Sequence, residues 1–423
     1  MKTQQAHTSD ETKLLVIILM SILCFFLHAA YGKSNNRGEI DSLNVVTRMK
    51  PTTNRALTFS GYFDTYYLIN LNKPSTRNNL GACGCARGFD RYSNQFQIGM
   101  FLTHVSYVHE ALAFDGEIGF GPNMEYANYA STYGYKWGTV VANNTHTSVF
   151  IKQAYAKFTA TEKLSFVFGQ FGSHIGYEVI DSPLNFHYSI SNAFSAGVPF
   201  FHVGIKASYA VRKNMTVMAG LVNGTDNMNN NNNTLKFIGQ LVVKSPDRFE
   251  LALNTIQGNE ANARTNGSDT TSYFGIVDAV ASYKVSKKLK TSLWALYGSQ
   301  RGEFQGGPFF NHMVHWSSVT FYTQYDITDL VSIGTRLEHF DNRDGARPLL
   351  TNNHGTYVDT VTLTANIQLQ NGTFLLKPEI RLDYFQRQQN TTGEPVQQQF
   401  ADNNGNFSRN SQTTAGLAAI IKF

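Results

Sequence analysis

The chain has 423 residues and a formal net charge of +5, and only 15% of its residues are charged, against roughly 25% in ordinary globular proteins. It holds 31 Phe, 21 Tyr and 34 Gly, yet its mean hydropathy is −0.26, as expected of a surface that is apolar on one side and wet on the other. The charge is too small and too dispersed for a nucleic-acid partner, and three cysteines in so long a chain exclude a disulfide framework.

Residues 14–27, LLVIILMSILCFFL, form the one long apolar run. Lys13 precedes it and the small-residue sequence Ala30-Tyr31-Gly32 follows, which predicts a secretory signal peptide over residues 1–32. Its removal takes away Lys2, Lys13, Asp10 and Glu11, so the net charge is unchanged. Ser21, Ile22 and Leu23 supply no small residue directly before Cys24, which argues against lipid attachment. Residues 33–55 are polar and lack sustained alternation, and read as a periplasmic N-terminal extension. Beyond them Cys83 and Cys85 lie in LGACGCARG, where a local bridge in a loop is the simpler reading and no nearby Cys or His completes a metal set.

Residues 56–423 carry the pattern that defines the fold class. No segment there has the 18 or so apolar residues of a transmembrane helix. Alternation with period two recurs instead. In LAFDGEIGF, Leu112, Phe114, Gly116, Ile118 and Phe120 share one face, while Ala113, Asp115, Glu117 and Gly119 share the other. In FELALNT, Phe249, Leu251 and Leu253 oppose Glu250, Ala252 and Asn254. In VSIGTRLEHF, Val331, Ile333 and Leu337 oppose Gly334, Arg336 and Glu338. In LLKPEIRLDYF, Leu376, Pro378, Ile380, Leu382 and Tyr384 oppose Lys377, Glu379, Arg381 and Asp383. Tyr273 to Tyr283 alternates less cleanly.

The connections come in two alternating lengths. Short links fall at Thr159 to Glu162, Arg212 to Asn214, Lys244 to Arg248, Val285 to Lys288, Asp326 to Asp329 and Asn371-Gly372. Long polar segments run from Asn72 to Ser93, Gly121 to Thr147, Gly172 to Phe201, Gly224 to Asn233, Gly258 to Thr271, Ser299 to Met313, Asp341 to Gly355 and Gln386 to Ser411. Such an order puts all tight turns at one end and all long loops at the other. It predicts an all-β fold: a transmembrane antiparallel up-and-down β-barrel of about sixteen strands with short periplasmic turns and long extracellular loops, in a bacterial outer membrane. The last segment, AGLAAIIKF, alternates Ala415, Leu417, Ala419, Ile421 and Phe423 onto one face, because the final strand must pair with the first to leave no edge in lipid. A terminal Phe423 resembles the signal read by the outer-membrane assembly machinery.

Enzyme motifs are missing: there is no H-E-x-x-H and no G-x-S-x-G. His312 and His315 have no carboxylate at matching spacing, so no metal site, cofactor or catalytic residue is assigned. The segment Phe171 to Phe201 is unusual among the long loops, since its many aromatic and apolar residues need something to pack against. Folding into the lumen would cover them and leave Tyr177, Glu178, Asp181, Asn185 and His187 beside the pore. An external cap is the alternative.

Gln153-Ala154-Tyr155, Phe168-Gly169-Gln170, Gly176-Tyr177-Glu178, Asn185, Tyr188-Ser189 and Pro199 to Gly204 together resemble the OmpL-like family of bacterial β-barrel porins, as do Asn223-Gly224-Thr225-Asp226 and Gly258-Asn259-Glu260. Ile190 departs from the basic residue expected after Tyr188-Ser189. A barrel of 16 to 18 strands is wide enough for an aqueous channel. The expected function is therefore an outer-membrane porin, not an enzyme, passing small hydrophilic solutes or ions by passive diffusion. Lumen candidates Lys206, Arg336, Lys377 and Arg381 stand against Glu338, Glu379 and Asp383, so strong selectivity for either sign is not expected. A loop-plugged barrel serving as a surface adhesin or structural protein is the chief alternative, an outer-membrane hydrolase a lesser one. Outer-membrane lipid and the assembly machinery are the expected partners, and homo-oligomerisation stays open.

Overall fold

Water cannot satisfy peptide groups inside a bilayer, so a chain that crosses it as strands must close on itself. The computed structural model does so. It describes residues 52–129, 149–230, 232–245, 248–259, 272–303, 309–352, 354–389, 392–393 and 396–423. The expected signal peptide and most of the expected N-terminal extension lie outside them. Sixteen antiparallel strands form the wall. They are β1 (Thr52–Asn70), β2 (Gln95–Glu110), β3 (Leu112–Phe120), β4 (Val149–Thr159), β5 (Leu164–Gly172), β6 (Phe201–Arg212), β7 (Met215–Val222) and β8 (Lys236–Lys244), followed by β9 (Phe249–Gly258), β10 (Tyr273–Lys284), β11 (Leu289–Glu303), β12 (Phe309–Asp326), β13 (Val331–Asn342), β14 (His354–Leu369), β15 (Phe374–Phe385) and β16 (Ser411–Lys422). Each strand pairs with the next. β1 also pairs with β16 from Tyr62↔Lys422 to Asn70↔Thr414. Gly61 and Phe423 finish the seam with reciprocal backbone hydrogen bonds of 2.9 and 3.0 Å.

The faces follow the solvent on each side. On β14, Val361 and Leu363 are each 50% exposed toward the membrane, whereas Thr360, Thr362 and Thr364 between them are at most 1% exposed. His312 and His315 both lie on β12, where the His312 imidazole meets the Asn311 side chain at 2.9 Å and that of His315 meets the Tyr297 hydroxyl at 2.6 Å. The long segment read from Ser299 to Met313 is shorter than the sequence suggests. The β11–β12 ladder extends it to Gly302↔Phe310 and Glu303↔Phe309, held by backbone pairing that needs no apolar outer face. At the opposite end the β14–β15 hairpin turns at Asn371 (φ 56°) and Gly372 (φ 82°), left-handed positions that suit Asn-Gly.

The interior is not uniformly polar. Val222, Ile238, Ile256, Val280 and Trp294 point inward from β7 to β11 and are buried in one cluster with Ile175, Phe194 and Val198 of the segment joining β5 to β6. That explains the untidy alternation of Tyr273 to Tyr283, since Ile276 and Val280 face a packed lumen while Val277 faces lipid. Among the described residues two short α-helices belong to the loops: α1 (Pro122–Tyr129) and α2 (Asn192–Gly197). Ser191 caps α2, its hydroxyl accepting from the Phe194 N–H at 3.2 Å. Cys83 and Cys85 form a disulfide within the first extracellular loop.

Candidate functional site: a loop fastened inside the lumen

The segment from Ser173 to Phe200 lies inside the barrel, where its apolar residues Ile175, Phe194 and Val198 are buried against the wall. Ser173 N–H donates to the Phe200 carbonyl at 2.9 Å, closing the base of the loop. Gly176, at φ 101° and in a position where a Cβ would stand 3.1 Å from the Trp294 ring, donates its N–H to Asp278 at 2.9 Å. The Trp294 indole donates to that same carboxylate at 2.8 Å. Farther along, the Trp316 indole donates to the Gly197 carbonyl at 2.9 Å.

Charged groups of the wall hold the loop mainly through its peptide groups. Glu379 accepts from the N–H groups of Tyr188 and Ser189 at 2.8 and 3.0 Å. Glu338 accepts from those of Asn192 and Ala193 at 3.1 and 2.7 Å. Lys377 donates to the Ser182 carbonyl at 2.6 Å and to that of Asn185. Arg381 donates to the Ile190 carbonyl at 2.6 Å, so Ile190 contributes an acceptor and an apolar side chain where a basic residue was expected. Arg336 donates to the Ser189 carbonyl at 2.7 Å and pairs with Glu178 at 2.7 Å. Glu178 in turn accepts from the N–H and hydroxyl of Ser191, both at 2.7 Å. A second bundle joins the first extracellular loop to the wall: Arg87 bonds Asp90 and reaches Asp383 at 2.7 Å, and Arg381 reaches Asp383 at 2.7 Å.

The predicted lumen residues therefore face inward but are covered. Arg336, Lys377, Arg381 and Asp383 are at most 1% exposed, because their hydrogen bonds go to the loop and to one another. Glu338 and Glu379 are likewise buried. The Tyr177 ring packs tilted against that of Tyr322 with centroids 4.4 Å apart, Asn185 bonds back to Val179, and the His187 imidazole meets the Thr364 hydroxyl at 2.7 Å. Asp181 bridges to Lys152 at 2.7 Å and accepts from the Tyr62 hydroxyl at 3.2 Å. Lys206, half-buried, sits 4.2 Å over the Phe171 ring.

Lys152 escaped the sequence reading for a geometric reason. Glu117 pairs with Gln153 and Ile118 with Ile151, leaving Lys152 as the extra residue of a β-bulge. A bulge re-aims a side chain, and both Lys152 and Gln153 reach Glu117, at 2.6 and 2.9 Å. Asp64, Asp278, Arg87 and Arg347 also fasten the interior without having been singled out. Of these, Asp64 carried a usable signal, the alternation of Tyr62, Asp64 and Tyr66 along β1.

One side of the lumen is less filled. Among the described residues the loop's hydrogen bonds reach β1 and β8 to β15, but meet β2 to β6 only at Lys152 and, at the loop's own root, His202. There His104, Asp115, Glu117, Tyr155, Lys157 and Lys206 stay partly accessible. His104 pairs with Asp115 at 3.1 Å. Among the described residues no group of three His, Cys, Asp or Glu side chains converges as a metal site.

Two loop histidines make the seat sensitive to acid. Burial, with Arg336 and Lys377 nearby, holds the His187 imidazole well below its usual range. Burial, with His202 and Lys206, pushes His174 down to about 3. An unseated loop would bind protons on both rings below about pH 6.5, whereas the seated loop does not. The contribution of these two rings to seating is thus complete above about pH 6.5 and is lost as pH falls, by about 1.4 kcal/mol per pH unit per histidine. Between about pH 6.5 and pH 5 the single-channel conductance of a His174→Gln/His187→Gln variant, relative to its own value at neutral pH, should rise less than that of wild type.

A closed sixteen-stranded antiparallel wall with short turns at one end, long loops at the other and a loop folded inside defines an outer-membrane β-barrel of the porin type. Solved structures share this fold. The outer membrane channel DcaP of Acinetobacter baumannii is 10% identical, with a TM-score of 0.53 over 89% of this chain and 100% of that one. The anion-selective porin from Comamonas acidovorans is 10% identical, with a TM-score of 0.53 over 88% and 100%. OmpT of Vibrio cholerae, in its trimer form, is 11% identical, with a TM-score of 0.51 over 87% and 99%. The chain belongs to the family described as "Putative beta-barrel porin-2, OmpL-like", whose model matches residues 56–423. No curated protein sequence matches it.

Proposed function

We propose that the protein is a passive outer-membrane channel whose aqueous path runs between the lumen loop and the wall of β2 to β6. The observation that carries this reading is the contrast in cover. Arg336, Glu338, Lys377, Glu379 and Arg381 on β13 and β15 are sealed under the loop, while His104, Asp115, Glu117, Lys157 and Lys206 keep contact with water. No coupling device is needed, since the flux of small hydrophilic solutes would follow their gradient. Phe423, exposed on the lipid face at the seam, is the group we assign to recognition by the assembly machinery.

The full chain refolded into a planar bilayer is expected to show discrete ohmic current steps, smaller than those of a barrel with an empty lumen of the same strand number. Bilayers that stay at bare leak after insertion would overturn the channel reading. They would favour instead a plugged barrel displayed at the surface, for which the many bonds between loop and wall would then be the explanation.

A further inference from the structure

The charges that matter to a solute are those left after the loop has taken its share. On the accessible side of the lumen, Glu117 and Asp181 share Lys152, and Asp115 bonds His104 and Tyr155. Toward the periplasmic end, Lys244 pairs with Glu250 at 2.8 Å. Two lysines stand apart from these pairs. Lys157 on β4 and Lys206 on β6 face the lumen in one cross-strand row, Lys157↔Val167↔Lys206. Ala113 flanks the row on one side and Gly220 on the other, so small residues leave room at both ends. Among the described residues neither ammonium has a carboxylate at ion-pair distance. Asp115, the acid that acts on Lys157, already bonds His104 and Tyr155. Lys206 rests on the Phe171 ring, which steadies its stem and offers no countercharge.

Two strand spacings separate the backbones of Lys157 and Lys206, about 9.5 Å. Flexible four-carbon stems let both ammonium groups turn toward one point between them. A small anion with oxygens on opposite sides could accept from both at once, whereas a cation would meet like charge from each. We propose that Lys157 and Lys206 form a binding site for small oxyanions, carboxylate or phosphate, on the lumen wall beside the loop. The site rests on the channel reading for its access to solute, but binding itself needs no current.

The test therefore separates the two. Inorganic phosphate is titrated with the full chain refolded in detergent micelles, and the phosphorus resonance line width is followed, with succinate as competitor. Wild-type protein should broaden the line. Lys157→Gln/Lys206→Gln should weaken binding about tenfold, and Lys157→Arg/Lys206→Arg should restore it. Competition by succinate would mean that carboxylates share the site; phosphate binding without competition would restrict it to phosphate. Equal broadening by wild type and the glutamine variant, or none by wild type, overturns the site. In bilayers, phosphate should lower the chloride current of wild type but not of the glutamine variant. Current without phosphate sensitivity sinks the site alone, while phosphate binding without current sinks the channel reading alone.

Discussion

Deleting Ile180 to Ala193 is expected to raise single-channel conductance at least about threefold, because it removes the part of the loop that crosses to β13, β14 and β15 and opens a lumen of sixteen-strand width. The wall does not depend on this segment for its backbone pairing, which is complete from strand to strand and across the β1–β16 seam. The shortened chain should still insert and show sheet structure. Arg336, Glu338, Lys377, Glu379 and Arg381 would then face water, so the enlarged current should also become more sensitive to ionic strength. A deletion variant with wild-type current steps would show that ions do not pass the loop at all.

Replacing Arg336 by Met should loosen the loop without removing it. The guanidinium holds the Glu178 carboxylate, the Ser189 carbonyl and hydroxyl, and the Thr362 hydroxyl. Taking away one partner of a buried ion pair leaves a charge without its counterpart and typically costs about 3–5 kcal/mol. The expected readouts are frequent current fluctuations and protease cleavage within the loop under conditions where the wild-type loop is protected. A second change, Glu178→Leu, in the Arg336→Met background should recover most of the protection, because the orphaned carboxylate is gone. Unaltered protection in the single variant would mean that the apolar packing of Ile175, Phe194 and Val198 suffices to seat the loop.

The wall was readable in the sequence because two solvents impose it. Hydrocarbon and water act on alternate side chains of Leu376 to Tyr384, and the alternation of short and long connections follows from a bilayer that each strand must cross. Composition showed that Phe186, Tyr188, Phe194 and Phe200 need cover, but it left the lumen and an external cap both open. The loop's fastening was not readable. Glu379 lies 190 residues from the Ser189 N–H that it accepts, and nothing in either local pattern names the other. Lys152 was hidden because a bulge shifts phase for a single residue, and Asp278 because its strand is apolar on both faces. The charges singled out as lumen-facing do face inward, yet alternation cannot tell a wet inner face from one covered by a folded-back loop.

A grip on peptide groups has an evolutionary corollary. Glu338 and Glu379 bind N–H groups, and Lys377, Arg381 and Arg347 bind carbonyls, groups that every residue except proline presents alike. Many side chains between Tyr177 and Ser195 could therefore be exchanged without unmooring the segment. Descendants of this chain could retune what they admit by point mutation while inheriting the same clamp.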